Sequence, residues 1–236
     1  KSIYASGDPH FIQSIDMTMT DFCNNRWNTA RFDKNVTSRA MGWTIIKEVE
    51  WAKQFHVDEH FGTPTDNFGA QWRFVGMVIM AEAKMQVQFA LQMLMNAQGL
   101  IANSDGAVDW AGQWVMLEAL SDANGTLSAS TMPHSASNRY ADPNGAAMLR
   151  EAADMLFSAL VSRQPADTEE LSLATQALAW YAANTTNAAN QSQALTLAGQ
   201  YGDSLIGANK DDATRKAFAV RGLLEAYRLT NNLTYR

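Results

Sequence analysis

The chain has one cysteine, Cys23, among 236 residues. A single cysteine excludes an intrachain disulfide framework. It reads as a small buried hydrophobe, the alternatives being a link to another chain or a reactive thiol. Charge is also scarce: Asp, Glu, Lys and Arg make up 18% of the chain, against about a quarter in an average globular protein. Asn, Gln, Ser and Thr take their place. A surface solvated by amides and hydroxyls suits a protein outside the cytoplasm, so the expected location is extracytoplasmic: secreted, periplasmic or at the cell surface.

Basic residues form no run longer than Arg215-Lys216, and the net charge is −6. This is the wrong sign for a nucleic-acid footprint and leaves no polybasic patch for a membrane surface. The longest nearly apolar run, Val75 to Ala81, is far short of the roughly 20 residues that cross a bilayer, so no membrane-spanning segment is expected. No Gly-rich phosphate loop, haem-attachment motif or nucleophile elbow is present, and no cofactor is expected. The chain begins at Lys1 without a signal-like apolar segment, as a processed precursor or a trimmed chain would.

What remains is mostly helical patterning. Residues 1 to 36 lack a sustained period and are broken at Gly7-Asp8-Pro9 and Asn24-Asn25. They read as an irregular arm with a short helix near Ile15 to Phe22, and Tyr4, Phe11, Phe22, Trp27 and Phe32 suit packing onto the body. Residues 37 to 236 read as one helical domain. Met41, Ile45, Val49 and Ala52 mark a helix from Ser38 to about His56. A long helix from about Asn67 to Asn96 carries two apolar stripes, one with Trp72 and Ile79, the other with Phe74, Met77, Met85 and Met93. Two stripes predict burial on most sides, with Trp72 and Ile79 in the core. Further helices are predicted over Val108 to Ser121, Pro143 to Arg163, from Asp167 behind an Asp-x-x-Glu capping box, Ala188 to Ile206, and Asp211 to Leu229. The loop from Gly125 to Ala141 is either functional or a tolerated insertion. No segment alternates like a strand.

Three helix ends look alike: Leu117-Glu118-Ala119-Leu120 leading to Asn124-Gly125, Ala177-Leu178-Ala179-Trp180-Tyr181 leading to Asn184, and Leu223-Leu224-Glu225-Ala226-Tyr227 leading to Asn231. The last two align at an offset of 46 residues, about one helical hairpin. Over residues 107 to 236 this pattern resembles the helical hairpins of the α/α-toroid superfamily, which includes glycoside hydrolases, polysaccharide lyases and sugar epimerases. The resemblance implies an all-α fold of helical hairpins around one core, as a partial toroid or a bundle, and a function on carbohydrate. No catalytic motif of the superfamily is matched, so no site residue follows from it. Because Asn232-Leu233-Thr234 reads like the start of a returning helix, the natural polypeptide is expected to continue past Arg236 or to dock there on another chain.

Several residue sets could carry chemistry. Glu48, Glu50 and Glu82 are the catalytic candidates, with Asp58, Glu59 and Glu118 as further carboxylates; a pair converging from two helices could cleave a glycoside. Trp43 and Trp51 share a face of the first helix with Lys47 and are candidate sugar platforms, although tryptophan is mostly core. His56-Val57-Asp58-Glu59-His60 fits the spacing of inverted zinc peptidases. The alternative reading is that His56 closes the apolar stripe, and no metal is expected. The methionines, five of them in the long helix, suit copper(I) or, more plainly, core filling. Asn35, Asn124, Asn184, Asn190 and Asn232 begin sequons and are candidate glycosylation sites. The leading functional expectation is an extracytoplasmic domain that binds or processes carbohydrate. The alternatives are a non-catalytic assembly domain of a cell-envelope protein and a metal-binding protein using His56, Glu59 and His60. The patterning itself predicts a far-ultraviolet circular dichroism spectrum with the helical double minimum.

Overall fold

The computed structural model describes residues 35–56, 67–132, 135, 137–207 and 213–236. The expected arm with its short helix, Asp58, Glu59 and His60 lie outside these residues. The described residues form seven α-helices: α1 Ser38–His56, α2 Asn67–Phe89, α3 Trp110–Ser128, α4 Pro143–Leu160, α5 Thr168–Asn184, α6 Ala188–Gly207 and α7 Ala213–Thr230. No strand occurs among them, only isolated bridges at Met95–Ile101 and Met132–Ser135. The fold is all-α.

Local chemistry sets the helix starts. Thr37 Oγ1 accepts the Ala40 N–H at 3.2 Å at the head of α1. Asp142 Oδ1 accepts from Gly145 N at 3.0 Å, with Pro143 in the first turn of α4. Asp167 Oδ1 accepts from Glu170 N at 2.9 Å at the head of α5. Each satisfies an N–H that the helix cannot pair internally.

The helices form two tiers. α1, α3, α5 and α7 pack side by side in that order, while α2, α4 and α6 fold back on α1, α3 and α5. The side-by-side helices run parallel, as ion pairs at both ends show. Near their starts, Arg39 of α1 bonds Asp109, beside α3, at 2.8 Å and Glu169 of α5 at 2.8 Å. Near their ends, Lys53 of α1 pairs with Asp122 of α3 and lies 5.5 Å from the Trp180 ring of α5. The three similar helix ends of the sequence are thus the ends of parallel helices in one tier.

α3 is the enclosed element: from Ala111 to Leu127 every residue except Gly125 is buried. It runs to Ser128, past the end predicted at Ser121. Asn124-Gly125 is not a turn. A Cβ added at Gly125 would lie 2.1 Å from Asn184 Oδ1, so the glycine is there to let the end of α5 pass. The actual break comes at extended Ala129.

The loop after α3 is a structural staple. Asn138 Nδ2 donates to Thr126 O at 2.7 Å and Ala129 O at 2.8 Å. Arg139 N donates to His56 Nε2 at 2.9 Å, and Tyr140 Oη donates to Ala52 O at 2.6 Å. The loop thereby joins the ends of α1 and α3. Tyr140 passes α2 at Gly76, where an added Cβ would sit 2.3 Å from its hydroxyl.

α2 corrects the sequence reading. Met80, Ala83 and Val87 are buried, followed by Ala90 and Leu94 in a π-helical turn, Ala90–Leu94. Ile79 is only partly buried, and Phe74, Met77, Met85 and Met93 are 67%, 52%, 50% and 68% exposed. Helical spacing counts apolar faces but not neighbours, and α2 has α1 on one side. By length and composition alone, Arg73–Leu94 is the one described segment apolar enough to cross a membrane. At the other end of the fold, Asn231 takes a positive φ of 54°. The expected returning helix is a 3-10 turn, Leu233–Tyr235, whose Tyr235 Oη donates to Asp203 Oδ1 of α6 at 2.8 Å.

Leu178 is fully buried in α5, and Leu178→Ala should lower stability by about 2–5 kcal/mol in denaturant melts. Ile79→Ala should cost clearly less. Gly76→Ala should destabilise despite the roughly 1 kcal/mol that alanine gains in a helix, because the methyl displaces Tyr140 from Ala52 O.

Candidate functional site

One face of the parallel tier carries polar and aromatic side chains at helical spacing, from buried Glu118 and Gln176 to exposed Lys47 and Glu50. α1 presents Trp43, Lys47, Glu50 and Lys53; α3 presents Glu118 and Asp122; α5 presents Gln176 and Trp180; α7 presents Arg221, Glu225 and Arg228. Successive members lie three or four residues apart, so each set occupies one side of its helix.

Glu118 forms the floor. The residue is 2% exposed. Its Oε1 accepts from Gln176 Nε2 and lies 3.5 Å from Arg221 Nη2. Its Oε2 is buried without a hydrogen-bond partner. Burial pushes its carboxyl up to about 7, against the pull of Arg221 and Gln176. One turn on, Asp122 is also raised by burial, opposed by the Lys53 ammonium paired with it. Both carboxyl groups are thus raised by burial, and each faces one cation: Arg221 for Glu118 and Lys53 for Asp122.

Two indoles flank this floor. The Arg221 guanidinium sits 4.9 Å from the Trp43 ring centre, crossing from α7 to α1. Lys53 and Arg228 lie 5.5 and 4.9 Å from the Trp180 ring. Arg228 also bonds Glu225 at 2.6 Å and is about half exposed. The rim is thus ion-paired charge held over aromatic rings, and the floor is a buried acid.

The three catalytic candidates from the sequence do not converge. Glu50 lies on the face just described, paired with Lys47 at 2.6 Å. Glu48 points the other way, between α1 and α2, and accepts both its hydrogen bonds from Gln86 Nε2, at 2.7 and 2.8 Å. Burial raises its carboxyl to about 7, and nearby Glu82 adds to the rise. Glu82 is half-buried rather than enclosed. Of the two tryptophan candidates, Trp43 belongs to the face. Trp51 does not: it is 57% exposed and stacks on Phe55 at 5.8 Å. Sequence reasoning named Glu118 but missed Asp122, Lys53, Gln176 and Arg221. The available signal was charge recurring at helical spacing inside apolar segments.

His56 is buried against Tyr140, and its Nε2 lone pair is taken by the Arg139 N–H. That nitrogen is not free to bind a metal. No group of three potential metal-ligating side chains occurs among the described residues. The sequons divide. Asn35 and Asn232 are exposed, and Asn184 and Asn190 are half-buried. Asn124 is a correction: it is 3% exposed inside α3 and donates to Asn184 O at 2.9 Å, where no glycan fits. A separate open depression of about 640 Å³ lies beside Gln98, Asp154, Ser158, Asn187 and Asn190. Its carboxylate is already engaged by Tyr181 and Thr185.

No protein-family model matches the chain, and no curated protein or solved structure matches it.

Because the Glu118 carboxyl is raised in the folded protein, its contribution to stability is full below about 4.5 and is lost as pH rises through about 7. Glu118→Gln keeps the hydrogen bond from Gln176 but cannot titrate. Thermal melts of the variant should therefore lose less stability between those pH values than melts of the parent.

Proposed function

We propose that the chain is an extracytoplasmic domain that binds carbohydrate on the face shared by α1, α3, α5 and α7, with Glu118 and Asp122 as the pair that would process it. The observation that carries this reading is Glu118 Oε2, a buried carboxyl oxygen without a partner on the same face as Trp43 and Trp180. Buried polar atoms are ordinarily satisfied, and a ligand hydroxyl would satisfy this one. Indole rings stack on the apolar faces of sugars, while the half-exposed Arg221 and Arg228 side chains can swing aside to admit a ring. The carboxyl-bearing residues are one helical turn apart, about 5–6 Å between Cβ atoms, so both lie on one side of α3. A carboxyl raised to about 7 can donate a proton at neutral pH. The hairpin arrangement is compatible with a partial α/α toroid, and the scarcity of charge and the exposed sequons Asn35 and Asn232 suit a location outside the cytoplasm.

A second reading, an assembly domain of a cell-envelope protein, draws on one observation. Val220, Leu224 and Leu233 are 56%, 52% and 70% exposed at the last hairpin, and contiguous apolar surface marks contact sites.

Titration with soluble polysaccharides, followed by tryptophan fluorescence, separates the two readings. Carbohydrate binding predicts saturable quenching that weakens about tenfold, or roughly 1.4 kcal/mol, in Trp180→Ala, and reducing-end release that is lost in Glu118→Gln. Absence of any carbohydrate-dependent change, together with self-association in sedimentation that Leu224→Ser abolishes, favours assembly.

A further inference from the structure

The outward side of α2 has a pattern of its own. Phe74, Val78, Ala81 and Met85 are exposed at spacings of 4, 3 and 4 residues, and Met77 and Met93 widen the strip. Alternating steps of four and three make the seam by which one helix receives another. Five of these side chains are about half or more exposed, and large exposed apolar side chains gathered along one helix mark a contact surface.

The chain contains a segment that matches it. Within residues 1–34, Phe11, Ile15, Met19 and Phe22 recur at spacings of 4, 4 and 3. Gln13, Ser14, Asp16, Thr18, Thr20 and Asp21 lie between them, with Ile12 and Met17 the apolar exceptions, so a helix here would be mainly apolar along one side. This segment joins the body at the correct end of α2. Val36 N donates to Ser104 Oγ at 3.0 Å, and Ser104 N donates to Val36 O at 2.8 Å. Ala102 N in turn donates to Leu94 O at 2.9 Å. Residue 36 is thereby tied, through Ser104 and Ala102, to the π-helical end of α2. From there to Phe74 the strip runs roughly 28 Å, well within the roughly 50 Å that 34 residues cover even as a helix.

We propose that residues 1–34 lie along α2, with the Phe11–Phe22 stripe seated on Phe74, Val78, Ala81 and Met85. Tethering favours this occupant over a second copy or any other partner, because a linked segment acts at an effective concentration in the millimolar range. The arm and the outward face of α2 then each bury an apolar surface that otherwise faces water. The burial also accounts for an apolar side on a helix whose inner face alone meets α1.

Methionine oxidation by hydrogen peroxide, read residue by residue by mass spectrometry on the full chain, tests this. Met155, 53% exposed on α4, is the reference for an open site, and Met116, fully buried, is the reference for an intact core. In the native chain Met77, Met85 and Met93 should oxidise about fivefold or more slowly than Met155, at every protein concentration. In the chain carrying Phe11→Asp, Ile15→Asp and Phe22→Asp they should match Met155 while Met116 stays protected. Four results would overturn the proposal. The first is rapid oxidation of the three methionines in the native chain. The second is protection that fades on dilution, which means a second copy. The third is protection that appears only with phospholipid vesicles, which means a membrane surface. The fourth is protection unchanged by the three substitutions.

Discussion

The enclosure of α3 is the constraint from which the rest of the structure follows. A helix buried on all sides cannot leave a polar side chain to water, yet α3 carries Gln113, Glu118, Asp122 and Asn124. Each is met by a neighbour. Gln113 Nε2 donates to Ile101 O at 2.8 Å, and its Oε1 accepts from Ile101 N at 2.8 Å. Asp122 takes Lys53 from α1, Glu118 takes Gln176 from α5, and Asn124 takes the carbonyl of Asn184. These bonds fix the register of α1 and α5 against α3 more sharply than apolar packing does, since leucines tolerate small slides and hydrogen bonds do not. Of these four side chains, Glu118 keeps one oxygen, Oε2, without a partner, and for that reason the candidate site is centred on it.

The fold class was legible because its determinants are local. Met41, Ile45, Val49 and Ala52 are buried as their spacing predicted, and Asp142 and Asp167 cap the helices expected to follow them. The misreadings have non-local causes. Asn124-Gly125 looks like a helix end in isolation and continues as helix because Asn184 packs against the glycine. The stripe through Met77 and Met85 has the spacing of a buried face, but burial depends on how many elements surround α2. The apolar residues of the loop from Ala129 to Ala141 gave no sign that Tyr140 would lock the end of α1.

The candidate site was half legible for the same reason. Trp43, Glu50 and Glu118 were recognisable as residue types with chemistry. Their convergence depends on α1 and α3, whose starts are 72 residues apart in the chain, running parallel, which the three similar helix ends hinted at without fixing. Glu48 and Glu50 are two residues apart, so one helix turns them to opposite sides. That geometry, rather than any difference in chemistry, removes Glu48 from the site.

Parallel alignment has an electrical consequence. Every helix carries about half a positive charge at its start and half a negative charge at its end. Antiparallel neighbours cancel these fields, whereas the side-by-side tier adds them. The starts of α1, α3 and α5 therefore form a positive rim, which Asp109 and Glu169 flank, with Arg39 between them. The opposite rim is negative, and it is where Lys53 and Arg228 gather over Trp180. Each hairpin sets one helix in the tier and one returning helix whose field opposes it, so the tier's own rims keep their sign while the hairpin as a whole stays nearly neutral.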